Sequence, residues 1–140
     1  MSAKCFIDTN IFIYTFDRVD ERKRKKSLAL VGEALQDATG FISYQVIQEF
    51  VNTATRKFSV PMTAHDVGLY LKTVLLPLCQ IESSAGLFAS ALAIHEETRF
   101  SFYDALIVAG AVEGGCRVLY SEDLQHGRVI SGVRIVNPFI

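Results

Sequence analysis

Apolar runs of strand length alternate along the chain with longer stretches in which apolar residues recur every three or four positions. The strand-length runs are Lys4 to Ile7, Gly40 to Ile42, Leu76 to Ile81, Arg117 to Tyr120 and Val133 to Val136. Between them the helical stretches carry their own start signals. Ser43 precedes Val46, Ile47, Phe50, Val51 and Ala54. Thr63 and Asp66 form a T-x-x-D capping box ahead of Val67, Tyr70, Leu71 and Val74, and Ser101 and Asp104 form another ahead of Ala105 to Val112. Gly114-Gly115 ends the last of these helices, Pro61 separates two others, and Asn137-Pro138 closes the final strand. Short strands alternating with helices predict the α/β class with a parallel sheet covered on both faces, because parallel crossovers need helices to close them. In such sheets ligands bind beyond the carboxyl ends of the strands, so the residues just after a strand are the first candidates for chemistry.

With 140 residues, half of them apolar, no repeat and no low-complexity linker, the chain reads as one domain over residues 1–140. A charged fraction of 21% and a mean hydropathy of +0.27 exclude disorder. The longest apolar stretches fall well below the roughly 18 residues of a membrane span. Met1-Ser2-Ala3-Lys4 leads into an apolar segment shorter than the core of a signal peptide, about 7 to 15 residues. The expectation is a soluble cytoplasmic protein with Cys5, Cys79 and Cys116 as reduced thiols, since they are odd in number and lack zinc-site spacing. A net charge of −1 gives no global argument for a polyanion partner, but seven of the 14 basic residues fall in the first 26 positions. Five of these form the run Arg22-Lys23-Arg24-Lys25-Lys26, which reads as a solvated helix start, a phosphate-backbone contact or a face for an acidic partner.

Three acids stand out from their apolar surroundings. Asp8 lies between Cys5-Phe6-Ile7 and Ile11-Phe12-Ile13, where an unpaired charge costs several kcal/mol. Asp104 is the only charge between Arg99 and Glu113. Asp123 follows the strand Val118 to Tyr120 in Ser121-Glu122-Asp123, with Glu122 expected to be solvated. Each also has a plain structural reading, as helix cap or turn acid, and Glu49, at the edge of a helical apolar arc, reads alone as a surface residue. Together the four would make an oxygen-rich cluster that repels itself unless a hard divalent cation such as Mg²⁺ or Mn²⁺ screens it. Asn10 and Ser121 stand beside two of the acids, where they orient water or phosphate or serve in a cap and a turn. His126, in a loop, is expected in solvent rather than on the ion, and His65 and His95 have no acid or cysteine partner at ligand spacing.

Phe6-Ile7-Asp8-Thr9-Asn10, Gln45-x-x-x-Glu49-Phe50, Tyr103-Asp104-Ala105-Leu106-Ile107, and Leu119 to Gly127 followed by Val133 to Pro138 resemble, over essentially the whole chain, a PIN domain. Within that superfamily the chain is most similar to the short toxin ribonucleases of bacterial toxin–antitoxin pairs. The resemblance implies a three-layer α/β/α sandwich with a mostly parallel five-stranded sheet. It implies an Mg²⁺-dependent endoribonuclease in which Mn²⁺ can substitute, with Asp8, Asp104 and Asp123 on the metal and Glu49 on a second metal or positioning water. It further implies an RNA substrate, a small antitoxin partner, with Phe12, Tyr14, Phe16 and Phe58 as candidate contacts, and a homodimer. Two alternatives share the fold: an inactive module that binds RNA or protein, and a PIN nuclease of RNA processing outside toxin–antitoxin pairs. A phosphoacceptor receiver wants a lysine near the last strand, and an aspartate phosphatase wants a second Asp where Asn10 stands, so both fit poorly. A nuclease for branched DNA would need a large insertion, and the chain has none.

Overall fold

The computed structural model describes residues 3–140; Met1 and Ser2, at which the reading of an unexported chain begins, lie outside the described residues. The order of elements is β1 (Cys5–Ile7), α1 (Thr9–Tyr14), α2 (Glu21–Asp37), β2 (Gly40–Ser43), α3 (Tyr44–Arg56), α4 (Ala64–Tyr70), a π-helical turn (Leu71–Leu75), α5 (Leu76–Leu78), β3 (Cys79–Ile81), α6 (Ala85–Thr98), α7 (Phe102–Glu113), β4 (Val118–Tyr120), β5 (Val129–Ile130) and β6 (Val133–Val136). The strands form one sheet in the order β3-β2-β1-β4-β6-β5, parallel except for the β5–β6 pair. From β1 the chain crosses towards β2 and β3, then returns past β1 to β4. Right-handed crossovers in opposite directions put their helices on opposite faces, which makes the α/β/α sandwich.

Because both faces are covered, the strands need no polar alternation, and Cys5, Phe6 and Ile7 of β1 are all buried. Helix α7 is apolar nearly all round and is buried from Ala105 to Ala111, lying between the sheet and α6. It comes so close to β1 that a Cβ on Gly110 would stand 3.1 Å from the Phe6 ring. At the start of β2 a Cβ on Gly40 would meet the Ala34 Cβ at 2.5 Å, so the packing of α2 on the sheet requires glycine there.

The N-cap half of each predicted capping box forms: the Thr63 hydroxyl accepts from the Asp66 N–H at 3.1 Å and the Ser101 hydroxyl from the Asp104 N–H at 3.1 Å. Two features differ from expectation. Leu76 to Leu78 is a helical turn rather than strand, so β3 keeps only Cys79–Ile81; Pro77 lacks the N–H that a ladder needs but suits the first turn of a helix. The sheet has six strands rather than five, because Ser131 (φ 49°) and Gly132 (φ 84°) turn β5 back onto β6. Among the described residues no helix is long and apolar enough to cross a membrane, and Cys5, Cys79 and Cys116 are free thiols.

Candidate active site

The carboxyl ends of β1 and β4 lie side by side, and the chain leaves each of them into a polar turn. Asp8, the residue after β1, donates its N–H to the Tyr120 carbonyl at 3.0 Å, which ties the two strand ends together. Its side chain caps α1, accepting from the Thr9 N–H at 2.7 Å through Oδ1, while Oδ2 accepts from the Ser121 hydroxyl at 2.7 Å. Capping and site are therefore one and the same arrangement. Helix α3 brings Glu49 in from the side, and its Oε1 accepts from the Thr9 hydroxyl at 2.6 Å. The first turn of α7 supplies Asp104, and the turn after β4 supplies Asp123, whose carboxylate accepts from the Asn10 amide.

All four acids, with Asn10, line a single cleft of about 270 Å³. Ser121 is fully buried behind them, oriented by Asp8. The crowding shows in the Asp8 carboxyl, pushed up to about 6 chiefly by burial, with the charges of Glu49 and Asp123 adding to it and the bonds from Ser121 and Thr9 opposing it. Among the described residues no three acidic, histidine or cysteine side chains already gather on one point as a metal site. The donor set nevertheless fits a hard cation. It is all oxygen, and the hydroxyls of Thr9 and Ser121 and the amide of Asn10 hold three of the carboxylates in the cleft.

The same cleft is lined by Thr9, Asn52, Thr53 and Lys57, none of which stands out in the sequence. Asn52 and Thr53 follow Glu49 by three and four positions on α3, so helical spacing alone puts them on its face. Gln45, one turn before Glu49, donates to it at 3.4 Å and to the Tyr103 carbonyl at 3.0 Å, joining α3 to α7. Thr9 carries no such signal, because its bond to Glu49 spans 40 positions.

His126 lies in solvent, as expected, and its Nδ1 accepts the Asn137 N–H at 2.9 Å, which braces the end of β6. Glu122 is not solvated: it is half-buried and bound to Tyr14 and Lys23. The basic run opens α2 behind the Asp20 cap, but three of its five charges have partners within the fold: Arg22 the Phe139 carbonyl, Lys23 Glu122, and Arg24 Glu21 at 2.8 Å. Of the aromatic residues singled out for a partner, Phe12 is fully buried. Tyr14, Phe16 and Phe58 line a second, larger groove of about 610 Å³ that shares Ile13 and Lys57 with the acidic cleft.

Three solved structures resemble this architecture over nearly its whole length. The toxin VapC20 of Mycobacterium tuberculosis, described as cleaving the sarcin–ricin loop, is 20% identical with a TM-score of 0.58, covering 86% of this chain and 90% of its own. VapBC2 of Rickettsia felis, bound to a DNA fragment from its promoter, is 16% identical with a TM-score of 0.66, covering 94% and 96%. DNA-bound VapBC of Salmonella typhimurium is 19% identical with a TM-score of 0.66, covering 96% and 97%. At these identities the likeness is one of fold. No curated protein matches the sequence. The family model described as PIN domain matches residues 5–130, from the first residue of β1 to the last of β5 and across every side chain that lines the cleft, and the chain belongs to the PIN-domain family.

Proposed function

We propose that the chain, as one PIN domain over residues 1–140, is an Mg²⁺- or Mn²⁺-dependent endoribonuclease and the toxin of a toxin–antitoxin pair, working in the cytoplasm as a homodimer. The observation that carries this reading is the meeting of Asp8, Glu49, Asp104 and Asp123 in one cleft at the carboxyl edge of the sheet. An inactive binding module would have no use for four carboxylates lining one cleft, one of them buried at a cost to the fold. Asp8, Asp104 and Asp123 would hold the cation, which when bound supplies charge stabilisation to the phosphate and lowers the pKa of water. Glu49, steadied by Thr9 and Gln45, positions the attacking water. The apolar groove beside the cleft is where a small antitoxin would seat itself, close enough to cover the acids.

The test is cleavage of total RNA by the purified protein, with new 5′ ends mapped, in Mg²⁺ and in excess EDTA. Cleavage in Mg²⁺ that EDTA abolishes is the expected result. Undiminished cleavage in EDTA overturns the metal reading, and no cleavage in Mg²⁺ or Mn²⁺ overturns the enzyme reading.

Lys57 brings a cation to the rim of a cleft otherwise lined by carboxylates and neutral side chains, which suits the phosphate next to the scissile one. Lys57→Ala is expected to weaken binding to single-stranded RNA, and to lower the slope of log affinity against log salt by about 0.7, one phosphate contact. Filter binding across a salt series measures both, and an unchanged slope removes Lys57 from the RNA path.

A further inference from the structure

The turn Ser121-Glu122-Asp123 presents three consecutive polar side chains, and each is held by a group about a hundred positions away in the sequence. Ser121 is bonded to Asp8 at the end of β1, and Asp123 to Asn10 in α1. Glu122 points away from the cleft: Oε1 accepts from the Tyr14 hydroxyl at the end of α1, and Oε2 from Lys23 Nζ in the first turn of α2. The ammonium of Lys23 stands 4.7 Å from the centre of the Tyr14 ring and 5.4 Å from that of Phe139, and these two rings meet edge-on at 5.2 Å. Arg22, the neighbour of Lys23, donates to the Phe139 carbonyl, so the end of the chain is drawn into the same cluster. Lys23 and Glu122 keep only 26% and 21% of their side-chain surface exposed, unlike a surface pair whose members are free to part.

We infer that Lys23, Tyr14 and Glu122 form a clamp that sets the position of Asp123, and that Lys23 is a positioning residue rather than part of a phosphate-binding run. Turns on protein surfaces are mobile by default, and a carboxylate on a mobile turn is a poor ligand because the ion must bear the cost of ordering it. Asp123 is exposed and has Asn10 as its hydrogen-bonding partner. Anchoring Glu122 one residue earlier on α1 and α2 removes most of the freedom of the turn without placing another group in the cleft. The same anchor explains how five consecutive cations are tolerated at the amino-terminal end of a helix, where the dipole opposes them. Lys23 is held there by a carboxylate and two ring faces, while Lys25 and Lys26 remain exposed.

As a statement about metal binding the inference rests on the nuclease reading; as a statement about the turn it does not. The experiment compares full-length wild type with Glu122→Gln, Lys23→Met and Lys23→Arg. Amide exchange in EDTA follows residues 121–127, where the Ser121 N–H bonds to the Val136 carbonyl at 3.0 Å and the Gly127 N–H to that of Ile135 at 2.8 Å. Calorimetric titration with Mn²⁺ reads affinity, and binding of a single-stranded RNA oligonucleotide in EDTA across a salt series reads phosphate contacts. Glu122→Gln and Lys23→Met are expected to speed exchange in this turn by about tenfold, with α7 unaffected, and to weaken Mn²⁺ by about tenfold. The salt slope stays unchanged, and Lys23→Arg retains both properties. Unchanged exchange in the turn overturns the clamp. A shallower salt slope for Lys23→Met with unchanged exchange returns Lys23 to the phosphate backbone. If wild type binds no Mn²⁺ and cleaves no RNA, the nuclease reading fails, while the exchange data still decide whether the clamp exists.

Discussion

Asp8→Asn and Asp123→Asn are each expected to lower the rate of RNA cleavage by about 100- to 1000-fold at saturating Mg²⁺, while the fold persists. Both substitutions keep the shape of the side chain. In Asp8→Asn the amide oxygen can still accept the Thr9 N–H, so α1 keeps its cap. What each variant loses is one negative charge in a cleft of four, and a carboxylate ligand to a hard cation is poorly replaced by an amide. The measurement is single-turnover cleavage of a defined RNA across Mg²⁺ concentrations, with circular dichroism melts as the control for folding. Near-normal rates in both variants would remove these two residues from the site, and a defect that high Mg²⁺ repairs would confine their part to affinity for the ion.

The second large effect is on stability without metal. In the folded protein the Asp8 carboxyl titrates at about 6, against an ordinary value of 3.8, chiefly because it is buried and further because Glu49 and Asp123 stand near it. The folded state therefore binds a proton in a pH range where the unfolded chain has already released it. By linkage, stability from this group falls as pH rises from about 4 to about 6, and above that it is a constant penalty on the order of 3 kcal/mol. Wild type in EDTA is expected to lose stability over this window relative to Asp8→Asn, which has no carboxyl to titrate at that position. At pH 7 the variant is expected to be the more stable by up to about 3 kcal/mol, and at pH 4 the difference closes. Added Mg²⁺ stabilises wild type at pH 7 by mass action and does so less for the variant. Denaturant melts at pH 4, 5, 6 and 7 measure the difference; a gap that does not depend on pH would mean that Asp8 is not titrating in this range.

The acids are legible in the sequence for a physical reason. A charge inside an apolar run is costly, so Asp8 and Asp104 announce themselves, and Asp123 stands where a parallel sheet presents its ligands. Glu49 has no such mark, because a polar residue at the edge of an amphipathic helix is ordinary. It becomes a candidate through the company of the other acids and through the Gln45-x-x-x-Glu49-Phe50 pattern of the resemblance. Asn52 and Thr53 are within reach of the same spacing argument, being on the face of α3 that carries Glu49. Glu122 reads as solvated, wrongly, because nothing local distinguishes it from a turn acid; its partners Tyr14 and Lys23 lie 108 and 99 positions away.

Helix starts, breakers and the alternation of strand and helix are local properties, set by hydrogen bonds and apolar spacing between residues a few positions apart. The sequence by itself therefore determined the α/β class and where five of the six strands lie, β3 inside a run that begins three residues too early. It read Leu76 to Leu78 as strand where the chain is helical, since a short apolar run suits either periodicity, and it hid β5, whose two residues pair only because the turn at Ser131 and Gly132 folds them onto β6. Which side chains meet was decided by the crossovers. The bond from Asn10 to Asp123 spans 113 positions and exists only once parallel pairing of β1 and β4 brings two distant turns to one edge of the sheet; that from Thr9 to Glu49 spans 40 and waits on the pairing of β1 with β2, which sets α3 against α1. Contacts of that range depend on the closing of long loops, whose entropy is recovered by burial of the whole core and not by any local pattern.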